Sequence, residues 1–276
     1  YLGKRQNKFF AFDANWSKVD IPEYDTTGQK ISLWKSHNFN VNAQVNYTIG
    51  TNLLIGAESG ISWLQLNSEI NGDQNVGNTY VQETIPYLKL KSIYNTLNKR
   101  YYPNKGVRFE VSGTYTSSLL TNITSEDSTG LSSETLNNDQ FNITLNHKYV
   151  IPVNKKIALI WSNNIGVNFT DADSLITTDN YVGGYNPLYF NTISFLGAKA
   201  YEFRLSNVYT TRLDSQWEVF NKTYIIASIN YAESEIPFKY ITGQNILNNK
   251  LGNEPRRLSF GLSLAYNSPL GPISFG

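Results

Sequence analysis

Residues 38–49 read NFNVNAQVNYTI. Phe39, Val41, Ala43, Val45, Tyr47 and Ile49 alternate without error with Asn38, Asn40, Asn42, Gln44, Asn46 and Thr48. A period of two sustained this long is a β-strand with one apolar face and one wet face. The apolar face touches either the core of a soluble sandwich or lipid. Which of the two it touches decides the fold.

The alternation recurs along the chain. In 9–16, Phe10, Phe12, Ala14 and Trp16 share a face; 52–64 and 80–94 follow, the latter setting Leu88 and Leu90 against Lys89 and Lys91. Segments 106–117, 139–150, 156–170, 205–220, 223–233 and 256–267 repeat the pattern, and a last strand begins at Gly271. That makes about eleven strands and no segment of helical period. Membrane strands need about 9–11 residues, whereas strands of soluble sheets average about 5–6. Most segments here sustain ten or more. The connections alternate as well. Long polar links cover 17–37, 67–79, 118–138, 171–200 and 234–255; short ones lie at Gly50-Thr51, 95–105, 151–155, Asn221-Lys222 and 268–271. Long loops at one end and tight turns at the other mark an outer-membrane barrel, whereas a Greek-key sandwich mixes them. The expected fold is therefore all-β, a transmembrane antiparallel up-and-down β-barrel, with 1–276 as one barrel domain. Trp16, Tyr47, Trp63, Tyr94, Tyr115, Tyr149 and Tyr266 stand where interfacial girdles would be.

Composition agrees. Lys and Arg number 23 against 22 Asp and Glu, so no basic face is available for nucleic acid. The sequence contains neither cysteine nor methionine. Absence of thiols suits passage through an oxidising periplasm. No run of eighteen apolar residues exists to make a transmembrane helix. With a negative mean hydropathy, a lipid-facing chain must hide its polarity on alternate residues, which a barrel does.

Catalytic patterns are missing: no G-x-S-x-G elbow, no H-E-x-x-H and no phosphate-cradling glycine loop. His37 and His147 are read as surface or strand-end residues, and no cofactor or metal is expected. Glu58, Arg108, Glu110, Arg204, Arg212, Asp214 and Glu218 fall on wet faces and are read as a salt-bridged, hydrated lumen.

Three stretches carry a resemblance. YNTLNKRYYPNKGVRFEVSGTY (94–115) places Pro103 and Gly106 in a short turn before a strand, and NSPLGPISFG (267–276) places Pro269 and Gly271 in a hairpin. Both suit tight periplasmic turns, since proline fixes φ and glycine tolerates positive φ. Both resemble the bacterial surface-antigen barrels, a sixteen-stranded superfamily of assembly insertases and two-partner secretion transporters. The third, YVGGYNPLYFNTISFLGAKAYEF (181–203), falls where that superfamily has a sixth loop folded into the lumen. The insertases carry an arginine between the valine and glycine; here Val182-Gly183-Gly184-Tyr185 lacks it. In this it looks more like the barrels behind patatin-like phospholipase domains of Bacteroidetes-type bacteria. The resemblance implies a bacterial outer-membrane location and a lipid bilayer as partner, with outer-membrane or periplasmic proteins beside it. It also implies a membrane anchor or export conduit for an upstream acyl-ester hydrolase, with the chain itself non-catalytic. The alternative is an assembly or translocation barrel. On the same register the first strand would be the fifth of sixteen, and the chain would lack four strands before it and about one and a half after it.

Overall fold

The computed structural model describes residues 7–24, 30–70, 79–117, 120–127, 130–136, 139–169, 180–183, 192–193, 195–196, 198, 203–205, 207–234, 256–268 and 271–275. In chain order the strands are β1 (Lys8–Tyr24), β2 (Lys30–Ile49), β3 (Leu53–Ile70), β4 (Thr79–Asn95), β5 (Gly106–Ser117), β6 (Leu120–Asp127), β7 (Gly130–Leu136) and β8 (Asp139–Pro152). There follow β9 (Ile157–Phe169), β10 (Asn180–Val182), β11 (Thr192–Ile193), β12 (Phe203–Leu205), β13 (Asn207–Phe220), β14 (Thr223–Glu233), β15 (Arg256–Ser268) and β16 (Gly271–Phe275). Among the described residues no helix is long and apolar enough to cross a membrane.

Eleven strands pair antiparallel with their chain neighbours in the order β1-β2-β3-β4-β5-β8-β9-β13-β14-β15-β16. These are the eleven segments expected from the alternation. The register aligns their apolar residues into rows. One row runs Phe10, Val45, Ala57, Leu90, Gly113, Ile143, Val167 from β1 to β9. The next, on the opposite face, runs Ala11, Gln44, Glu58, Lys89, Thr114, Asn142, Asn168. Phe10 is 78% exposed, Val45 49% and Leu262 69%, whereas Asn40 on the other face is fully buried. Such a continuous apolar outer surface is far larger than water tolerates, and it is the lipid face of a barrel.

The expected long links are shorter than read. β1 and β2 pair up to Tyr24 and Lys30, so 17–37 is mostly ladder. β3 runs to Ile70, which shortens 67–79. Link 118–138 is a hairpin, β6 with β7, in which β6 continues along β4 beyond the end of β5. Link 171–200 contains β10 and β11, which with β12 form a separate three-stranded sheet. The five loops at this end and the five turns at the other keep the expected alternation.

Candidate functional site

The inner face begins as an amide ladder. Asn42 donates to Asn40 Oδ1 at 2.9 Å, Asn40 Nδ2 to the Tyr87 hydroxyl at 3.3 Å, and Tyr87 to Glu58 Oε1 at 2.9 Å. Lys91 Nζ donates to Gln44 Oε1 at 3.1 Å and stands 3.7 Å from Glu58 Oε2. Asn40, Asn42 and Gln44 find partners on β2 itself or across on β4, which offsets the cost of burying them.

The charged residues singled out from the sequence separate into groups. Arg108 and Glu110 form an ion pair at 2.7 Å on β5. Arg212 Nε and Asp214 Oδ1 pair at 2.5 Å on β13, and Arg212 also donates to Ser228 at 3.2 Å. Arg108 lies in register with Lys148 on β8, and Arg212 is two strands further along the same row, through Ser162. Glu218 stands apart: its carboxylate accepts from the backbone N–H of Lys222 at 3.2 Å and holds the β13–β14 turn. Arg204 lies in β12, with its side chain outside the described residues. No group of His, Cys, Asp and Glu among the described residues could hold a metal ion. Neither histidine belongs to the lumen. His37 is on the outer face 6.3 Å from the Trp16 ring, and His147 lies in mid-strand on that face. There its Nδ1 is 3.2 Å from Asn163 Nδ2, and its ring meets Trp161 edge-on at 5.5 Å.

Near the loop end, a strap enters the lumen. Gly183 has φ of +138°, a conformation side chains rarely adopt, and its N–H donates to the Ile193 carbonyl at 3.1 Å. Val182, Ile193, Phe195, Phe203 and Leu205 pack against Val208 of β13 and Ala232 of β14, all buried. Ser259 of β15 donates to the Leu196 carbonyl, and Leu196 Cδ1 would lie 2.8 Å from a Cβ placed on Gly261. Arg257 covers the Phe203 ring at 4.8 Å. The strap therefore seats on the inner wall of β13 to β15. Gly184 and Tyr185 lie outside the described residues.

The turn end departs from the sequence reading. Alternation there should leave inward positions polar. Instead Val150 of β8, Ala158 and Ile160 of β9, Tyr224 and Ile226 of β14, and Ala265 of β15 all point inward and are almost fully buried. What covers them is the β4–β5 turn. Leu97 packs on Val150, Ala158 and Ile160. The Tyr102 ring stacks on Tyr224 at 4.5 Å, and the buried Pro103 accepts from Gln216 Nε2 of β13 at 3.3 Å. Pro103, read as part of a tight periplasmic turn, is buried against the inner wall at the barrel mouth. The turn is held in shape by Asn98, whose Oδ1 accepts from the N–H groups of Asn104 and Lys105 at 3.1 and 3.3 Å. Gly106, at φ +113°, is required because a Cβ would stand 2.4 Å from the Thr96 carbonyl oxygen. Gly271 has φ of +131° and its carbonyl accepts from Ser268 Oγ at 2.6 Å; Pro269 is outside the described residues. A sequence signal for the belt exists in IALIW (157–161) and YIIA (224–227), unbroken apolar runs that belong to strands covered on both faces.

Comparison with known proteins follows this geometry. The family description of the OMP85 superfamily matches residues 6–276. Among solved structures, BamA from Haemophilus ducreyi, lacking POTRA domains 1–3, superposes with a TM-score of 0.64 at 14% identity, covering 99% of this chain. This chain spans 56% of the length of that BamA chain. The translocator domain of the autotransporter NalP from Neisseria meningitidis gives a TM-score of 0.45 at 12% identity, covering 83% of this chain and 69% of that one. Comparison with curated proteins finds no match. At these identities the structural likeness speaks for the fold alone.

Proposed function

Since the chain belongs to the OMP85 superfamily and is a barrel of the bacterial outer membrane, we propose that it is the membrane anchor and export conduit of a patatin-like phospholipase. The catalytic domain of that protein lies upstream. The observation that carries the reading is the strap. It is seated through Val182, Phe195, Phe203 and neighbouring apolar side chains, and its sequence reads Val182-Gly183-Gly184 with no arginine between the valine and the first glycine. That departs from the insertase form of the motif and agrees with the phospholipase-linked form. Nucleophilic hydrolysis needs a serine beside a base with oxyanion donors in place. In this reading an upstream domain supplies them.

The test is an ester-hydrolysis assay on the full-length protein in lipid vesicles, repeated on the embedded barrel left after protease trimming. Activity confined to the full-length protein is expected. Activity surviving in the barrel would overturn the reading. Activity in neither would favour the second reading, an outer-membrane assembly or translocation barrel, which membership of the OMP85 superfamily also allows. A G-x-S-x-G elbow upstream would speak for the first, and repeated periplasmic transport-associated modules for the second.

A further inference from the structure

We propose that the β4–β5 turn is a stopper that closes the turn-end mouth of the lumen, and that its departure opens the conduit. The argument starts from a violation of the barrel's own rule. Inward residues of a water-filled barrel are polar, and higher on the same walls they are: Ser162 and Asn164 on β9, Ser228 and Asn230 on β14, Ser259 and Ser263 on β15. The apolar inward residues gather at the turn ends of β8, β9, β14 and β15, with polar Asp214 and Gln216 of β13 among them, and again under the strap at Val208 and Ala232. Left bare, Val150, Ile160 and Ile226 would face water inside a hydrated channel.

The turn fits this belt. It leaves the wall at β4 and returns at β5, yet it touches β8 and β9 through Leu97, β13 through Pro103, and β14 and β15 through Tyr102. In the sheet, β14 is four strands beyond β5. A turn that merely joined adjacent strands would have no reason to reach so far. Its backbone is also loaded. Tyr102 holds φ at +47°, uncommon outside glycine, and such conformations persist only where surrounding contacts impose them. Here the stack on Tyr224 and the Gln216 hydrogen bond impose it. Release of the turn would relieve that conformation while exposing the belt, so the seated and released forms oppose each other through two different energies. The neighbouring Tyr101 takes no part: it is exposed, beside Arg100. Closure at this end is separate from the strap, whose contacts lie further up the inner wall, on Val208, Ala232, Ser259 and Gly261.

The experiment uses the full-length protein, free of other cysteines, in lipid vesicles. Single changes Ala158→Cys and Ser162→Cys place a thiol on the same inward face of β9, the first beneath Leu97 and the second above the turn. A charged methanethiosulfonate should modify the first several-fold more slowly than the second. Adding Leu97→Ala and Tyr102→Ala should bring the two rates together and raise single-channel conductance in planar bilayers, whereas Tyr101→Ala should change neither. Equal rates at the two positions without the turn changes would overturn the proposal. So would unchanged labelling and conductance in the loosened variant with the barrel still folded, as judged by heat-modifiable migration. Because the single-cysteine comparison leaves the turn intact, it decides the matter even if the loosened variant does not fold.

Discussion

The Tyr87 ring on β4 lies over Gly60 on β3: a Cβ at the glycine would stand 2.8 Å from Tyr87 Cζ, 2.6 Å from the Val41 carbonyl oxygen and 2.8 Å from Asn42 Cβ. Two of these neighbours are backbone or a backbone-anchored Cβ and cannot yield. The glycine leaves the gap that lets Tyr87 reach Glu58 and Asn40. Gly60→Ala should therefore destabilise the barrel by about 1–3 kcal/mol, the cost of overpacking. The midpoint of urea unfolding in lipid is the readout, and an unchanged midpoint would contradict the packing described.

Val45 and Gln44 are adjacent in sequence and opposite in environment. Val45 is half exposed on the outer face, while Gln44 accepts from Lys91 on the inner. Val45→Arg should cost about 2–4 kcal/mol near the bilayer midplane, whereas Gln44→Arg should stay below about 1 kcal/mol because lumen substitutions are tolerated. Equal penalties in the same unfolding comparison would refute the assignment of faces for β2.

Gly183 at φ +138° leaves no room for a β-branched residue without strain of about 1–3 kcal/mol. Gly183→Val should loosen the strap and raise its sensitivity to protease. Gly261→Val should do the same from the other side, by displacing Leu196. If cleavage of 182–196 is as slow in both variants as in the wild type, the strap is not held by these contacts.

Barrels keep their periplasmic turns short, so the ends carrying Gly50, Asn154 and Asn221 should face the periplasm. A peptide tag placed at Ser128, between β6 and β7, should be labelled on intact cells, and one at Asn154 should not. The opposite pattern would invert the barrel.

The eleven strands of the main path were legible because lipid imposes a period of two wherever a strand crosses it. The same cause explains where reading failed. Beyond the lipid the constraint lapses: Lys18, Asp20 and Lys35 stand where the alternation calls for apolar residues, so the outer parts of β1 and β2 pass for loop, although Ser17 to Asp20 pair with Asn38 to Lys35. Hairpin β6–β7, rich in Ser, Thr and Asn, was hidden for the same reason. The inner belt was missed because Ala158, Ile160 and Ile226 look like lipid-facing residues until the turn that covers them is placed. Arg108, Glu110, Arg212 and Asp214 share the inner face, but one sequence cannot say which carboxylate meets which guanidinium. The Arg108–Glu110 and Arg212–Asp214 pairs are set by two-residue spacing along one strand, while Glu218 is drawn off to a turn.

The belt has a consequence for how the sheet finds its alignment. A slip of one residue turns every side chain of a strand to the other face, and the penalty comes from the contrast between faces. At the turn end of β14, Tyr224, Ile225 and Ile226 are all apolar, so that contrast vanishes. Residues Ser228 and Asn230, against Ile229, restore it further along. Alignment of β14 must then be fixed from its loop-side half, with the tight turn at Asn221-Lys222 left to follow. Zipping of this hairpin would proceed toward its turn rather than away from it, and Ser228→Val together with Asn230→Val should yield mixed registers where Ile226→Ser should not.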